Sequence, residues 1–258
     1  MVLFAENFSP RLLIAEQLAS RPVCFATNEQ VIGCDYSSVN PAASSVAGRA
    51  RVSISVAPSP FGFADLSFSE LYFGYRVDEN TVVSADVSGV AGSLYSCIGS
   101  KASIKYTLTD EFALGLGAGL MYQRFKNYSS STSGYFDIGS VITIAEGLSA
   151  GASINNIGSS TRDERLFGLF SISYNYSDWL CAMLGLRAEL GAIASCYSEL
   201  IYRADERLAV AAGIGPEPML YGVRVGVALS DFSLTLRAYS TKDLGWRLSS
   251  GIGYTFTK

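Results

Sequence analysis

Residues 101–108, KASIKYTL, alternate strictly between two kinds of side chain. One face of this stretch is polar (Lys101, Ser103, Lys105, Thr107), and the other is apolar (Ala102, Ile104, Tyr106, Leu108). Successive residues of a β-strand point to opposite sides, so a period of two predicts a strand with one apolar face.

The same alternation recurs along the chain from residue 50 onward. Residues 147–156, 219–229, 231–239 and 244–256 each set apolar positions against Gly, Ser or Arg. Turn-forming clusters such as 78–80, 109–111, 204–206 and 215–218 separate the runs. The spacing predicts fourteen strands, near 50–57, 66–76, 81–89, 98–108, 112–124, 134–144, 147–157, 165–175, 179–189, 194–203, 207–214, 219–229, 232–239 and 244–256. Polar gaps are expected at 127–133 and 158–164.

Composition indicates where such strands reside. Of the 258 residues, 49% are hydrophobic and 16% are charged, against a charged share of about 25% in ordinary soluble domains. The mean hydropathy is +0.26, yet no apolar stretch is long enough for a membrane-spanning helix. Apolar content spread over many short alternating segments is typical of an all-β protein, a closed antiparallel transmembrane β-barrel of a bacterial outer membrane.

A soluble β-sandwich or a large lipid-binding barrel is the alternative. The polar faces argue against it, because Gly, Ser and Ala fill them and few Lys or Glu are present to keep a protein soluble. Rings near the strand ends favour an aromatic girdle at the membrane interface, formed by Tyr72, Tyr106, Tyr122, Tyr174, Tyr176, Tyr202, Tyr254 and Phe256.

Several chemistries are disfavoured by the residue inventory. The net charge is −4 with no His and no basic cluster, so neither nucleic-acid binding nor His-based catalysis is expected, and we predict no enzyme, no cofactor and no metal site. The five Cys include Cys24 and Cys34, for which free thiols are favoured over a bridge. Cys181 and Cys196 are predicted to face opposite sides of the sheet and to stay unbridged.

The first 48 residues differ from the rest. Residues 10–20 predict a short amphipathic helix with Ser9 as its N-cap and Pro10 at its first position. We expect residues 1–48 to form a hatch inside a barrel of residues 49–258; a frayed tail is the alternative. Residues 1–26 lack the pattern of a signal peptide, which a mature chain with an added Met, a late start or another location would each explain.

A family resemblance rests on Ala19-Ser20-Arg21, on Phe25-Ala26 and on residues 35–42, DYSSVNPA. This pattern resembles the opening of the FadL/PorV-like outer-membrane barrels. The resemblance implies fourteen strands and a hatch that contains Asp35 and ends at Asn40-Pro41-Ala42. The chain departs from the family in having residues 22–24, PVC, where a Gly-rich piece is usual, and in lacking long loops. Phe256 lies two residues before the end, whereas outer-membrane barrels place an aromatic residue last.

Charged residues on the predicted inner faces form the candidate site, because a charge facing lipid costs about 2–4 kcal/mol at mid-bilayer. They are Lys101, Lys105, Arg187, Glu189, Glu199, Arg203, Arg224, Arg237 and Arg247. One interpretation is a structural network in which the arginines pair with Glu189, Glu199 and hatch carboxylates such as Asp35; its arginines are Arg187, Arg224, Arg237 and Arg247. Lys101 and Lys105 share one face and are expected either to face the lumen or to lie near the lipid headgroups. The other is a cationic lining that binds the carboxylate head of an amphiphile.

Two functions follow from the resemblance. The first is a FadL-like channel for hydrophobic or amphiphilic small molecules. The second is a PorV-like, secretion-associated barrel with a sealed lumen that binds a larger protein complex. In either case the outer-membrane lipid is a partner, and a water-filled general porin is disfavoured because the 48-residue N-terminal segment must be housed in the lumen.

Overall fold

Fourteen antiparallel strands make up nearly all of the regular structure. The computed structural model describes residues 39–46, 48–62, 64–158, 166–189, 195–216, 219–241 and 245–257. The strands are β1 Ala50–Pro58, β2 Ser67–Arg76, β3 Thr81–Ala91, β4 Tyr95–Thr109, β5 Phe112–Phe125, β6 Ser131–Ala145, β7 Leu148–Ile157, β8 Phe167–Ser177, β9 Leu180–Glu189, β10 Ser195–Arg203, β11 Leu208–Pro216, β12 Met219–Leu229, β13 Phe232–Thr241 and β14 Gly245–Phe256. Two short 3₁₀ helices, Pro41–Ala43 and Pro60–Gly62, accompany them. Within the described ranges, no helix is long and apolar enough to cross a bilayer.

The sheet closes on itself. Each strand pairs with the strands before and after it in the chain, and β1 pairs with β14 over seven residue pairs, from Ala50 opposite Phe256 to Val56 opposite Ser250. Closure leaves no strand edge with unpaired backbone groups, which is the condition for a β-structure in hydrocarbon.

The two ends of the barrel differ in their connections. At the turn end, which also holds Ala50 and Phe256, six connections of two to four residues join the strands. At the loop end, the connections reach nine residues. Outer-membrane barrels have short periplasmic turns and longer outer loops, so the turn end corresponds to the periplasmic side of such barrels.

Side-chain acceptors build three of the turn-end connections. Asp78 Oδ1 accepts from the N–H groups of Asn80 (2.9 Å) and Thr81 (2.8 Å). Asp205 serves the β10–β11 turn in the same way, and the Thr109 hydroxyl serves the β4–β5 turn. The hydrogen bonds that the Asp78 carboxyl accepts, first from the Asn80 N–H and then from the Thr81 side chain, hold its pKa below the usual value.

The outer face of the barrel is apolar. Large side chains such as Leu116 (58% exposed), Leu236 (63%) and Leu248 (64%) point outward without cover. The described strands place no Asp, Glu or Lys on this face; their one outward-facing Arg, Arg124, lies beside the loop end. A surface of this kind suits hydrocarbon rather than water.

Aromatic residues band the outer face as predicted, with one correction. Tyr106, Tyr122, Tyr174, Tyr176, Tyr202, Tyr254 and Phe256 are exposed or half-buried on the outside. Near the turn end the rings touch one another, with Phe232, Tyr254 and Phe256 in sequence at centroid distances of 4.9 and 4.7 Å. The prediction for Tyr72 was wrong, because this side chain faces the lumen and is 2% exposed. Strand β2 has rings on both faces, so alternation alone does not decide its facing.

The fourteen-strand prediction is confirmed, with each predicted strand end within three residues of the observed one. The expected gap at 127–133 was too long, because residues 131–133 already belong to β6. The buried Cys181 and the half-buried Cys196 lie on opposite faces and are free thiols. The helix predicted at 10–20, Cys24, Cys34 and Asp35 lie outside the described residues.

Candidate functional site: the barrel lumen

Residues 39–46, here called the lumenal segment, run inside the barrel across the inner faces of β2 to β8. Asn40 begins the 3₁₀ helix Pro41–Ala43: its Oδ1 accepts from the Ala42 N–H at 2.9 Å. Its Nδ2 donates to the Ser140 carbonyl at 3.1 Å. Asn40 and Pro41 are completely buried, so a single side chain both caps the helix and attaches it to the wall.

Further polar contacts attach the segment on either side of that helix. On one side, the Ser153 hydroxyl donates to the Val39 carbonyl at 3.0 Å. On the other, the Ser44 hydroxyl donates to Ser84 Oγ at 3.2 Å and lies 3.4 Å from the Tyr72 hydroxyl. Arg76 donates to the Val46 carbonyl at 2.6 Å. The barrel wall therefore donates hydrogen bonds to the carbonyl groups of Val39 and Val46, at the two ends of the lumenal segment.

Glycines on the wall make room for this segment. A Cβ added at Gly139 would overlap Asn40 Oδ1, and one added at Gly115 would overlap the backbone of Ala42. Only a residue without a side chain allows such a close approach. In the sequence, Gly115, Gly117 and Gly119 alternate along one inner face without side chains. The close approach of the Ala42 backbone explains why position 115 is a glycine.

An ion pair lies beside Gly117, the second glycine of that row. Lys101 Nζ lies 2.5 Å from Asp137 Oδ2, and both side chains are 2% exposed. The lysine chain crosses Gly117, whose added Cβ would stand 2.6 Å from Lys101 Cε. The Asn156 N–H also donates to Asp137 at 2.8 Å, at a bulge where β6 and β7 shift register. The pair thus ties β4 to β6 across the strand between them.

Tyrosine side chains lie against other inner-face glycines. Tyr135 covers Gly119, Tyr197 covers Gly213, and Tyr239 covers Gly222 at 2.6 Å from the position of its missing Cβ. These tyrosine side chains therefore fill the space beside the wall backbone that each glycine leaves open.

The other candidate residues also face inward. Arg224 pairs with Glu199 at 3.3 Å, with both side chains at most 3% exposed. Arg187 pairs with Glu189 at 2.5 Å and stacks over the Phe167 ring at 4.3 Å. These four residues therefore form two separate ion pairs, one between β10 and β12 and one within β9. Lys105 and Arg247 are buried, Arg237 is half-buried, and Arg203 at the turn end of β10 donates to the Asp178 carbonyl.

Several inward-facing charges were not singled out from the sequence. They are Arg51, Glu70, Arg76, Asp86 and Asp137. Period-two alternation around residues 135–139, YFDIG, already places Asp137 on the same face as Gly139. What the alternation does not reveal is which partner on another strand each charge meets. Within the described ranges, no three His, Cys, Asp or Glu side chains are placed to hold a metal ion.

Among the described residues, buried apolar side chains of the lumen form three clusters. Near the loop end lie Ala57, Phe68, Val90, Tyr95 and Cys97, here called the loop-end cluster. Val39 of the lumenal segment packs against Phe167 and Leu169 of β8. The helix residues Ala42 and Ala43 belong to a third cluster with Val141, Cys181, Met183, Ile201 and Ala211.

Solved structures share this architecture. The toluene transporter TbuX of Ralstonia pickettii matches with a TM-score of 0.66 and 11% identity, over 90% of this chain and 97% of that chain. The CymD monoaromatic hydrocarbon channel matches with a TM-score of 0.66 and 10% identity, over 91% and 95%. A FadL homologue of Pseudomonas aeruginosa matches with a TM-score of 0.60 and 9% identity, over 85% and 92%.

Comparison by sequence adds nothing to this, since no family model matches the chain and no curated protein matches it. At identities near 10%, the structural likeness shows a common fold. That fold is the one implied by the resemblance of residues 19–42 to the FadL/PorV-like barrels.

Proposed function

We propose that this chain is a channel of the bacterial outer membrane for hydrophobic small molecules. The observation that carries the proposal is the shared fold with hydrocarbon channels over nine-tenths of the chain. The outer face, whose described strands carry a single charged residue beside the loop end, and its aromatic bands support a bilayer setting, with the outer-membrane lipid as the partner of that face.

The lumen suits a channel for hydrophobic molecules better than it suits a water-filled general porin. The lumenal segment fills the side of the barrel along β2 to β8, and its residues Val39, Ala42 and Ala43 belong to two apolar clusters with the wall. A small hydrocarbon gains free energy from such surfaces at about 25 cal/mol per Å² of buried apolar area, whereas a hydrated solute does not. A channel requires no catalytic group, in keeping with the absence of His from the sequence.

The secretion-associated alternative has no comparable support. The structural relatives reported above are channels, and none of those three is described as a partner of a secretion complex. No feature of the described residues points to a protein partner of a barrel with a sealed lumen.

Uptake of radiolabelled toluene tests the proposal. The chain is produced in the outer membrane of a Gram-negative host that lacks hydrocarbon channels, and its heat-modifiable migration on SDS gels confirms a closed barrel. We expect toluene to enter at a saturable rate well above that of cells with an empty vector. A closed barrel in the outer-membrane fraction with uptake equal to the empty vector would refute the channel function.

A further inference from the structure

The outer face of β5 ends in two cations at the loop end. Tyr122 and Arg124 are exposed on this face, whereas Gln123 between them faces the lumen and is buried. Lys126 follows one residue past the end of β5 and is exposed as well. Arg124 is the one charged residue that the described strands place on the outer face, so its position calls for a physical reason.

Backbone pairing with β4 fixes where these two cations lie. Arg124 stands opposite Ser96 on β4, and the Lys126 N–H donates to the Leu94 carbonyl at 2.8 Å. Two residues along an extended strand are separated by about 7 Å. Long side chains at that spacing can converge on one anion, so Arg124 and Lys126 are within reach of a single phosphate group.

Apolar and aromatic side chains surround the cations on the outer face. Toward the middle of the barrel wall the exposed neighbours are Tyr122, its direct partner Ile98 on β4, and Leu120. On the adjoining connections at the loop end, Leu94 and Tyr128 are also exposed. Tyrosine is enriched at the level of lipid headgroups, and a charge on the lipid-facing side costs little only near that level. The cations therefore lie where the outer face passes from hydrocarbon to headgroups.

The charge around this site is not compensated by the described part of the chain. No ion pair joins Arg124 or Lys126 to another described residue. Asp65 is the one acidic residue in the described loop-end connections, and it accepts a hydrogen bond from the Ser93 hydroxyl. Each of the six turn-end connections, by contrast, carries at least one Asp or Glu. The loop end thus presents cations to the headgroups of the outer leaflet.

We propose that Arg124 and Lys126 bind the phosphate of an outer-leaflet glycolipid, whose acyl chains lie along Tyr122, Ile98 and Leu120. The guanidinium fork matches two phosphate oxygens, and the lysine ammonium adds a point charge. The apolar strip beside the cations favours a lipid over a free phosphate, because only a lipid also has hydrocarbon to place there. The proposal rests on the outer-membrane location and is independent of what the channel carries.

A matched pair of lipids tests the site. Native mass spectrometry of the purified full chain in nonionic detergent measures the Kd for diphosphoryl lipid A and for the same acylated disaccharide without phosphate. We expect the phosphorylated lipid to bind about ten-fold more tightly or better, as for a charge-assisted hydrogen bond. Arg124→Gln/Lys126→Gln should remove this preference. The control Arg207→Gln alters an exposed arginine at the turn end and should leave both Kd values unchanged.

Three results would overturn the proposal. The first is equal binding of the two lipids by the unaltered chain, and the second is an undiminished preference in a double variant that is still heat-modifiable. The third is complete displacement of the lipid by an equal concentration of inorganic phosphate, which would indicate a site for free anions. Failure of the channel function is distinct, because toluene uptake would then be absent while the comparison of the two lipids remains measurable.

Discussion

Single glycines decide where larger groups lie in this lumen. Gly115 and Gly139 admit the backbone and side chain of the lumenal segment, whereas Gly117 and Gly119 admit the Lys101 chain and the Tyr135 ring. These four positions need glycine because a side chain would collide with a neighbouring group, since none of them has the positive φ that would itself demand glycine. A methyl group at each position therefore tests a particular contact.

We expect Gly139→Ala to destabilise the barrel by about 1–3 kcal/mol, the usual cost of overpacking, because the new Cβ overlaps Asn40 Oδ1. Urea unfolding in lipid vesicles measures the change. The matched control is Gly168→Ala on β8, whose Cβ would meet a single atom, the Ser153 carbonyl oxygen at 4.0 Å. Equal stability of the two variants would contradict the close seating of Asn40.

The ion pair of Lys101 and Asp137 provides a second test. Lys101→Met leaves a buried carboxylate without its ammonium partner, and loss of one member of such a pair costs about 3–5 kcal/mol. The double variant Lys101→Met/Asp137→Leu removes both charges and should recover most of this loss in the same unfolding assay. A double variant as unstable as the single one would mean that the pair contributes through packing rather than charge.

Each strand separates two environments, and this division is what the sequence predicts best. Alternation fixed the facing of β4, β13 and β14, because one face meets lipid and must be apolar. It failed for Tyr72, because β2 carries rings on both sides and the contact of the Tyr72 hydroxyl with Ser44 comes from outside the strand. Pairings between distant strands, such as Arg224 with Glu199, depend on register around the barrel and leave no local pattern.

The lipid-facing side of β5 gives a test of this division. Leu116→Arg places a charge on the outer face near the middle of the strand and should cost about 2–4 kcal/mol. Thr132→Arg, near the loop end of the neighbouring strand β6, should cost about 0–1 kcal/mol, because the interface tolerates charge. Urea unfolding in vesicles separates the two. Equal costs would mean that these positions are not at different depths in a bilayer.

For the barrel as a whole, the lumenal segment is the part that differs from a plain channel. It crosses from β2 to β8 and is held by side-chain contacts, not by strand pairing. Passage through the channel is expected to require it to move, because it occupies the wall along half of the strands.

A reversible crosslink tests this requirement. Ser44→Cys/Ser84→Cys joins the segment to β3, where the two hydroxyl oxygens are 3.2 Å apart. Toluene uptake should fall several-fold under oxidising conditions and recover on reduction. The control Ser84→Cys/Ser103→Cys joins two wall strands whose hydroxyl oxygens are 2.7 Å apart, and it should leave uptake unchanged. Full uptake with the segment crosslinked would show that molecules pass beside it without displacing it.

The pairing of β1 with β14 has a consequence for how the molecule is assembled. Every other strand pairs with a neighbour in the chain, so those hairpins form locally and quickly, whereas this one contact spans some two hundred residues. The lumenal segment precedes β1, and it lies inside the ring that the pairing of β1 with β14 closes. We therefore expect assembly to be ordered in time, with the segment entering an open sheet before β1 and β14 pair. Slow pairing of β14 with β1 would give the lumenal segment time to pack against Gly115 and Gly139. Premature closure of the barrel would leave the segment outside the lumen.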